Sequence, residues 1–138
     1  MISFLEQLMN TARMIFAVLF LVSLAGISLV FADEHKGLPH SFEAGWKGED
    51  VCEVVFENDE VVIGKCVFPP GVGHEKHYHK PHFGYILEGT TFRVTDEKGV
   101  RDLETPSGVT WSNDEVSVHE ALNVGDTTGS ALIVEFKQ

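Results

Sequence analysis

The chain has 138 residues, with 21 Asp or Glu against 10 Lys or Arg and a net charge of −11. That length leaves room for one ordinary domain. The acidity argues against nucleic acid or anionic lipid as partners, because phosphate is repelled.

In chain order, Arg13 precedes an uncharged apolar run over residues 14–32, which ends Val30-Phe31-Ala32 ahead of Asp33-Glu34. Small residues stand at the two positions a signal peptidase inspects, so residues 1–32 read as an export signal helix. The alternative is an uncleaved membrane anchor, since a spanning helix needs about 20 apolar residues. Ser23, Gly26 and Ser28 interrupt the run and favour cleavage. Either reading places the rest of the chain outside the cytoplasm, periplasmic or secreted, with membrane contact only through an uncleaved leader. Losing residues 1–32 removes one base, Arg13, and one acid, Glu6, so the charge stays at −11. Residues 33–50 carry Gly37, Pro39, Gly45 and Gly48 without periodicity and read as a loosely held arm.

Residues 51–138 show short apolar runs broken by turn residues, the pattern of an all-β domain. The spacing predicts strands over 51–57, 61–68, 77–79, 83–87, 91–95, 100–103, 109–111, 116–122 and 131–136. Turn residues separate them, among them Asn58-Asp59, Pro69-Pro70-Gly71 and Pro106-Ser107-Gly108. Strands this short leave exposed edges unless the sheet closes on itself or meets a second sheet. A small barrel or jelly roll is the economical solution, and its interior holds one small ligand or ion. Cys52 and Cys66 fall opposite each other in a hairpin turning at Asn58-Asp59. They read either as a cross-strand disulfide of an oxidising compartment or as two buried thiols.

Four of the seven histidines, His74, His77, His79 and His82, fall between Gly73 and Phe83. His77 and His79 are two apart, so on a strand both rings leave the same face. With a third imidazole nearby they suit a borderline-soft divalent metal. His119 supplies that third ring. His74 reads as a rim residue, and His35 and His40 lie in the arm with no assigned role.

The run Gly71-x5-His77-x-His79-x2-His82-x6-Gly89, with its Tyr85-Ile-Leu-Glu-Gly89 tail, resembles the first motif of the cupin superfamily, G-x5-H-x-H-x3or4-E-x6-G. Gly99 to Asn123, with Pro106-x-Gly108 and His119-x3-Asn123, is similar to the second motif, G-x5-P-x-G-x2-H-x3-N. Two departures stand out. Trp111 occupies the usual histidine place of the second motif, with an insertion before His119. The glutamate of the first motif is missing, and His82 stands nearest to it, one residue early.

The resemblance implies a small single-domain cupin, a jelly-roll (double-stranded β-helix) barrel in which His77, His79 and His119 converge on one metal. His82 is then a fourth ligand, a residue that braces a ligand, or a proton shuttle. Fe, Mn, Cu, Ni and Zn all suit such donors to different degrees. Phe83, Tyr85 and Trp111 are expected to line the pocket or fill the core, and Arg93 to pair with a carboxylate substrate or face solvent. The resemblance further implies a non-haem metal dioxygenase-like enzyme acting on a small organic substrate, and a homodimer. The alternative is a non-catalytic metal- or metabolite-binding barrel whose four histidines close the site.

Overall fold

The computed structural model describes residues 35–137; the expected export helix lies outside them. Eleven strands form in this part: β1 (Gly45–Trp46), β2 (Glu49–Asp50), β3 (Cys52–Glu57), β4 (Val61–Phe68), β5 (Gly73–His79), β6 (His82–Glu88), β7 (Thr90–Asp96), β8 (Gly99–Thr105), β9 (Thr110–Asn113), β10 (Ser117–Asn123) and β11 (Gly129–Phe136). No helix occurs among the described residues, so the all-β expectation holds. β1 and β2 make a small ladder within the arm. The others form a four-stranded sheet, order β5-β10-β7-β8, and a five-stranded sheet, order β3-β4-β11-β6-β9. All pairings within them are antiparallel, which gives a jelly roll.

Alternation along β4, β6 and β11 buries Cys66, Phe68, Ile86, Ala131 and Ile133 inward. Phe68 of one sheet meets Phe92 of the other edge to face, with ring centroids 5.4 Å apart. The core built this way is small, and glycines let aromatic rings pack close against the sheet backbone. Phe42 of the arm packs over Gly64, where any Cβ would collide with its ring. Trp111 lies over Gly84, its cross-strand partner, for the same reason. Each glycine leaves the space that an aromatic ring then fills.

The arm is not loose. Ser41 N–H donates to the Tyr78 carbonyl at 2.9 Å and Tyr78 N–H donates to the Pro39 carbonyl at 3.1 Å. These bonds attach the arm along β5, an edge of the four-stranded sheet, and so protect that edge. The sequence offered no periodicity here because the arm is anchored by a few specific bonds and not by a regular strand.

In the β3–β4 hairpin Cys52 stands opposite Cys66, and a disulfide joins them. A bulge between Val54 and Phe56 shifts the register by one residue nearer the turn. Asn58 holds that turn, its side-chain oxygen accepting the N–H groups of Glu60 and Val61.

The disulfide spans 14 residues, and a loop of that size stabilises by about 3 kcal/mol in the chain-entropy account. Urea unfolding of the protein with and without a thiol reductant should therefore differ by that order. Identical midpoints would show that the bond contributes nothing.

Candidate metal centre

β5 positions the motif-one histidines. His77 and His79 point into the barrel, as their period of two requires, and both are buried. β10 runs antiparallel beside β5 and sets His119 directly opposite His77. One ring nitrogen from each of His77, His79 and His119 comes together within 4.8 Å. The ring of His119 stands 4.7 Å from that of His77 and 5.0 Å from that of His79.

Hydrogen bonding at the far side of each ring decides what the near side can do. His77 Nδ1 lies 2.6 Å from the Glu75 carbonyl, and His79 Nδ1 lies 2.8 Å from a carboxylate oxygen of Glu135. Both partners are pure acceptors, so each Nδ1 carries the ring's proton. The two Nε2 atoms are then bare lone pairs, yet they face each other at 2.8 Å. A proton shared between them would need a charged ring. Burial, followed by the neighbouring His74, His79 and His119, pushes the His77 pKa far below the ordinary histidine value. Converging lone pairs, one of them on a ring that resists protonation, fit a metal cation. At metal–nitrogen bonds of about 2.1 Å, two such ligands sit roughly 3 Å apart.

His82 is also buried on the inward face, but its nitrogens are engaged elsewhere. Nδ1 donates to the Lys80 carbonyl at 2.8 Å, and Nε2 accepts the indole N–H of Trp111 at 3.2 Å. The close nitrogen group comprises His77, His79 and His119 without it. Trp111 thus lies beside the centre, indole N–H inward. Ser117, cross-strand to His79 and two residues from His119, carries the one buried side-chain polar atom among the described residues that lacks a hydrogen-bond partner.

Two placements differ from the sequence expectation, and Arg93 takes the solvent-facing one of its two alternatives. Phe83 and Tyr85 share a face, but it is the outer face of the five-stranded sheet, where they are 39% and 40% exposed. They oppose Val134 and Leu132 of β11 there; the inward positions of β6 are His82, Gly84 and Ile86. The strand's parity was right and its direction was not. Arg93 lines no pocket either. It lies on the outer face of β7 in a two-pronged pair with Asp102, at 2.8 and 2.9 Å. Exposed on both sides, that pair is screened by solvent and contributes little to stability.

His74 is buried and not on the rim. Between His119 and Ala121 the β10–β5 register shifts, so that β5 advances from His77 to His74 while β10 moves two residues. The extra residue turns His74 onto the same face as His77, and their rings stack at 3.7 Å. Its Nε2 donates to the Ser41 carbonyl at 2.8 Å. Sequence reasoning missed Glu135 altogether. Only its parity with Ile133 and Ala131 marked it as an inward carboxylate.

Comparison with known proteins agrees with this architecture. No protein-family model matches the chain, and no curated protein sequence does. Solved structures do. A cupin domain from Bordetella pertussis Tohama I superposes with a TM-score of 0.60 at 21% identity, covering 64% of this chain and 93% of its own. The polyketide cyclase RemF from Streptomyces resistomycificus gives 0.56 at 18% identity, covering 75% and 77%. A cupin superfamily protein from Desulfitobacterium hafniense DCB-2 gives 0.51 at 15% identity, covering 63% and 76%. The chain therefore has the cupin fold, and its three-histidine cluster lies within metal-binding distance inside that fold.

The buried imidazoles make stability sensitive to acid. Burial first, then the neighbouring rings, lowers the pKa of His74 to about 4 and of His119 to about 3 from 6.5. Below pH 6.5 the unfolded chain takes up protons that the fold refuses, so stability falls with falling pH. The loss runs from pH 6.5 down to about 4 for His74 and about 3 for His119. Each such histidine contributes about 1.4 kcal/mol per pH unit within its window. Urea midpoints of metal-free protein should hold steady above pH 7 and drop between pH 6.5 and 5. A flat profile across that interval would mean that the rings are charged in the fold.

Proposed function

We propose that this protein is an exported metalloenzyme of the non-haem oxygenase type, acting on a small organic substrate at a divalent metal held by His77, His79 and His119. The observation that carries the reading is the engagement of His82 with Trp111. Its lone pair is already used, which supports a ligand set of three with positions left open. A metal bound there supplies Lewis acidity and open positions for O2 and a chelating substrate.

The chain's own residues have separable roles. Nδ1 anchors at Glu75 and Glu135 aim the ligand nitrogens. The Ser117 hydroxyl, short of a partner, is placed to hydrogen-bond a substrate oxygen or a water at the centre. His82, neutral because burial and then His79 lower its pKa, keeps the Trp111 indole fixed at the edge of the site. The disulfide supports an oxidising, exported location.

The competing reading, a closed binding site of four histidines, requires His82 to give up its Trp111 bond and turn toward the metal. Elemental analysis of untagged protein distinguishes the two. The expected outcome is one transition metal per chain that survives His82→Ala and is lost in His77→Ala and His119→Ala. Oxygen uptake with chelating diketones, thiols or catechols would then separate turnover from mere binding. One zinc per chain that disappears with His82 would overturn the catalytic reading. Full metal content in both His77→Ala and His119→Ala would overturn the site itself.

A further inference from the structure

Two consecutive residues of the arm, His40 and Ser41, reach both motif-one ligands through one intermediary each. On the His79 side the intermediary is Glu135, which is 2% exposed. Its carboxylate accepts Ser41 Oγ–H and His40 Nε2–H at 2.5 Å each, His79 Nδ1–H at 2.8 Å and, more distantly, the Lys80 N–H at 3.4 Å. His40 Nδ1 in turn accepts the Phe42 N–H, which leaves Nε2 as the proton-bearing nitrogen. On the His77 side the intermediary is His74, whose Nε2–H bonds the Ser41 carbonyl while its ring stacks on His77. The backbone completes the contact. His40 bridges in parallel to Tyr78, the residue between the two ligands.

Resting on the metal-centre reading above, we propose that Glu135 is a positioning residue for the metal ligands. The arm residues His40 and Ser41 form a strap over it, and docking of the strap and metal binding favour each other. A buried carboxylate needs its acceptor capacity filled. Of the four donors to Glu135, two belong to the arm; with the arm undocked, only His79 and the distant Lys80 N–H remain. Glu135 then has reason to turn toward water, and His79 loses the acceptor that keeps its proton on Nδ1 and its lone pair on Nε2. In the other direction, a cation drawn to His79 Nε2 polarises the Nδ1–H bond and strengthens its hold on Glu135. That fixes the carboxylate in the orientation the arm requires. Coupling of this kind is reciprocal: whatever docking adds to metal affinity, metal adds to docking.

The arm's aromatic packing supports a strap that moves as one piece. Phe42 enters the core at Gly64 directly after the two contacting residues, and Trp46 packs against the same core cluster. Undocking His40 and Ser41 therefore pulls on Phe42 as well, which makes partial release unfavourable.

The test uses the untagged full-length protein, its Glu135→Gln and Ser41→Ala variants, and Zn²⁺ as the probe. Gln keeps an oxygen for His79 but sets an amide NH2 against the His40 donor. The expected result is a 10- to 100-fold loss of Zn²⁺ affinity for Glu135→Gln in competition with a chelating dye, the range seen when such outer partners are removed. A loss of several-fold is expected for Ser41→Ala. Ring ¹⁵N spectra should show His79 as the Nδ1–H form in metal-free wild type and as a mixture in Glu135→Gln. Zn²⁺ should slow hydrogen exchange at the Ser41 and Tyr78 amides in wild type, and much less in Glu135→Gln.

A merely structural glutamate would lower the melting temperature while leaving the tautomer and the zinc affinity of the folded variant unchanged, and that pattern overturns the proposal. Should Glu135→Gln fail to fold, wild-type Zn²⁺ affinity in a folded Ser41→Ala overturns it equally, as does wild-type exchange at the arm amides that ignores zinc. A wild type that binds no metal sinks the metal-centre reading itself. The Glu135 assignment then stands if His79 is the Nδ1–H form in the wild type and shifts in Ser41→Ala, and falls if both spectra are alike.

Discussion

A neutral imidazole carries one N–H, and the centre follows from where that proton is held. In this barrel His77, His79 and His82 each have Nδ1 against an acceptor: the Glu75 carbonyl, the Glu135 carboxylate and the Lys80 carbonyl. Every Nε2 is thereby a lone pair. Two of the three converge with nothing between them, and the third is capped by the Trp111 indole. What sets His77 and His79 apart from His82 is therefore not the residue type. It is whether a donor already occupies the lone pair.

This arrangement depends on space that glycine provides. Trp111 can reach His82 only because Gly84 has no side chain, and a methyl group there would displace the indole and free His82 Nε2. Phe42 depends on Gly64 in the same way. Burial then keeps His74, His77, His82 and His119 neutral, which preserves their lone pairs and also makes the fold acid-sensitive. Affinity for a cation and loss of stability below pH 6.5 have one cause.

The fold was largely legible in the sequence, because turn residues punctuate strands whose inward and outward positions alternate. The nine strands read from spacing correspond to β3 through β11, and only the two-residue ladder in the arm was missed. Cys52 and Cys66 could be placed opposite each other by approximate counting from the Asn58-Asp59 turn, but the bulge between them and the turn, which shifts that count by one, could not be read. What could not be read depended on direction or on irregularity. Alternation shows that Phe83 and Tyr85 share a face, but it does not say which face is inside. The bulge in β5 reverses parity between His77 and His74, so a buried ring was read as a rim residue. Glu135 and His40 lie 95 residues apart, and no local pattern joins them.

The missing glutamate of the first motif has a structural counterpart, though not at the same place. A glutamate ligand would halve the charge of a bound divalent ion and occupy one of its positions. Here the group that could hold the ion is three imidazoles, none of which brings a negative charge to compensate it. The nearest buried carboxylate, Glu135, stands one imidazole further out; burial alone would raise its pKa, but hydrogen bonds from His40, His79 and Ser41 hold it well below the usual carboxylate range. It is thus ionised although buried, and it accepts the Nδ1–H of His79, an arrangement that makes an imidazole a more basic donor. A carboxylate one imidazole further out still places a negative charge near the three-histidine group without being a member of it. The same placement explains why the arm is ordered: an ionised carboxylate buried in the barrel needs donors, and His40 and Ser41 bring two of them.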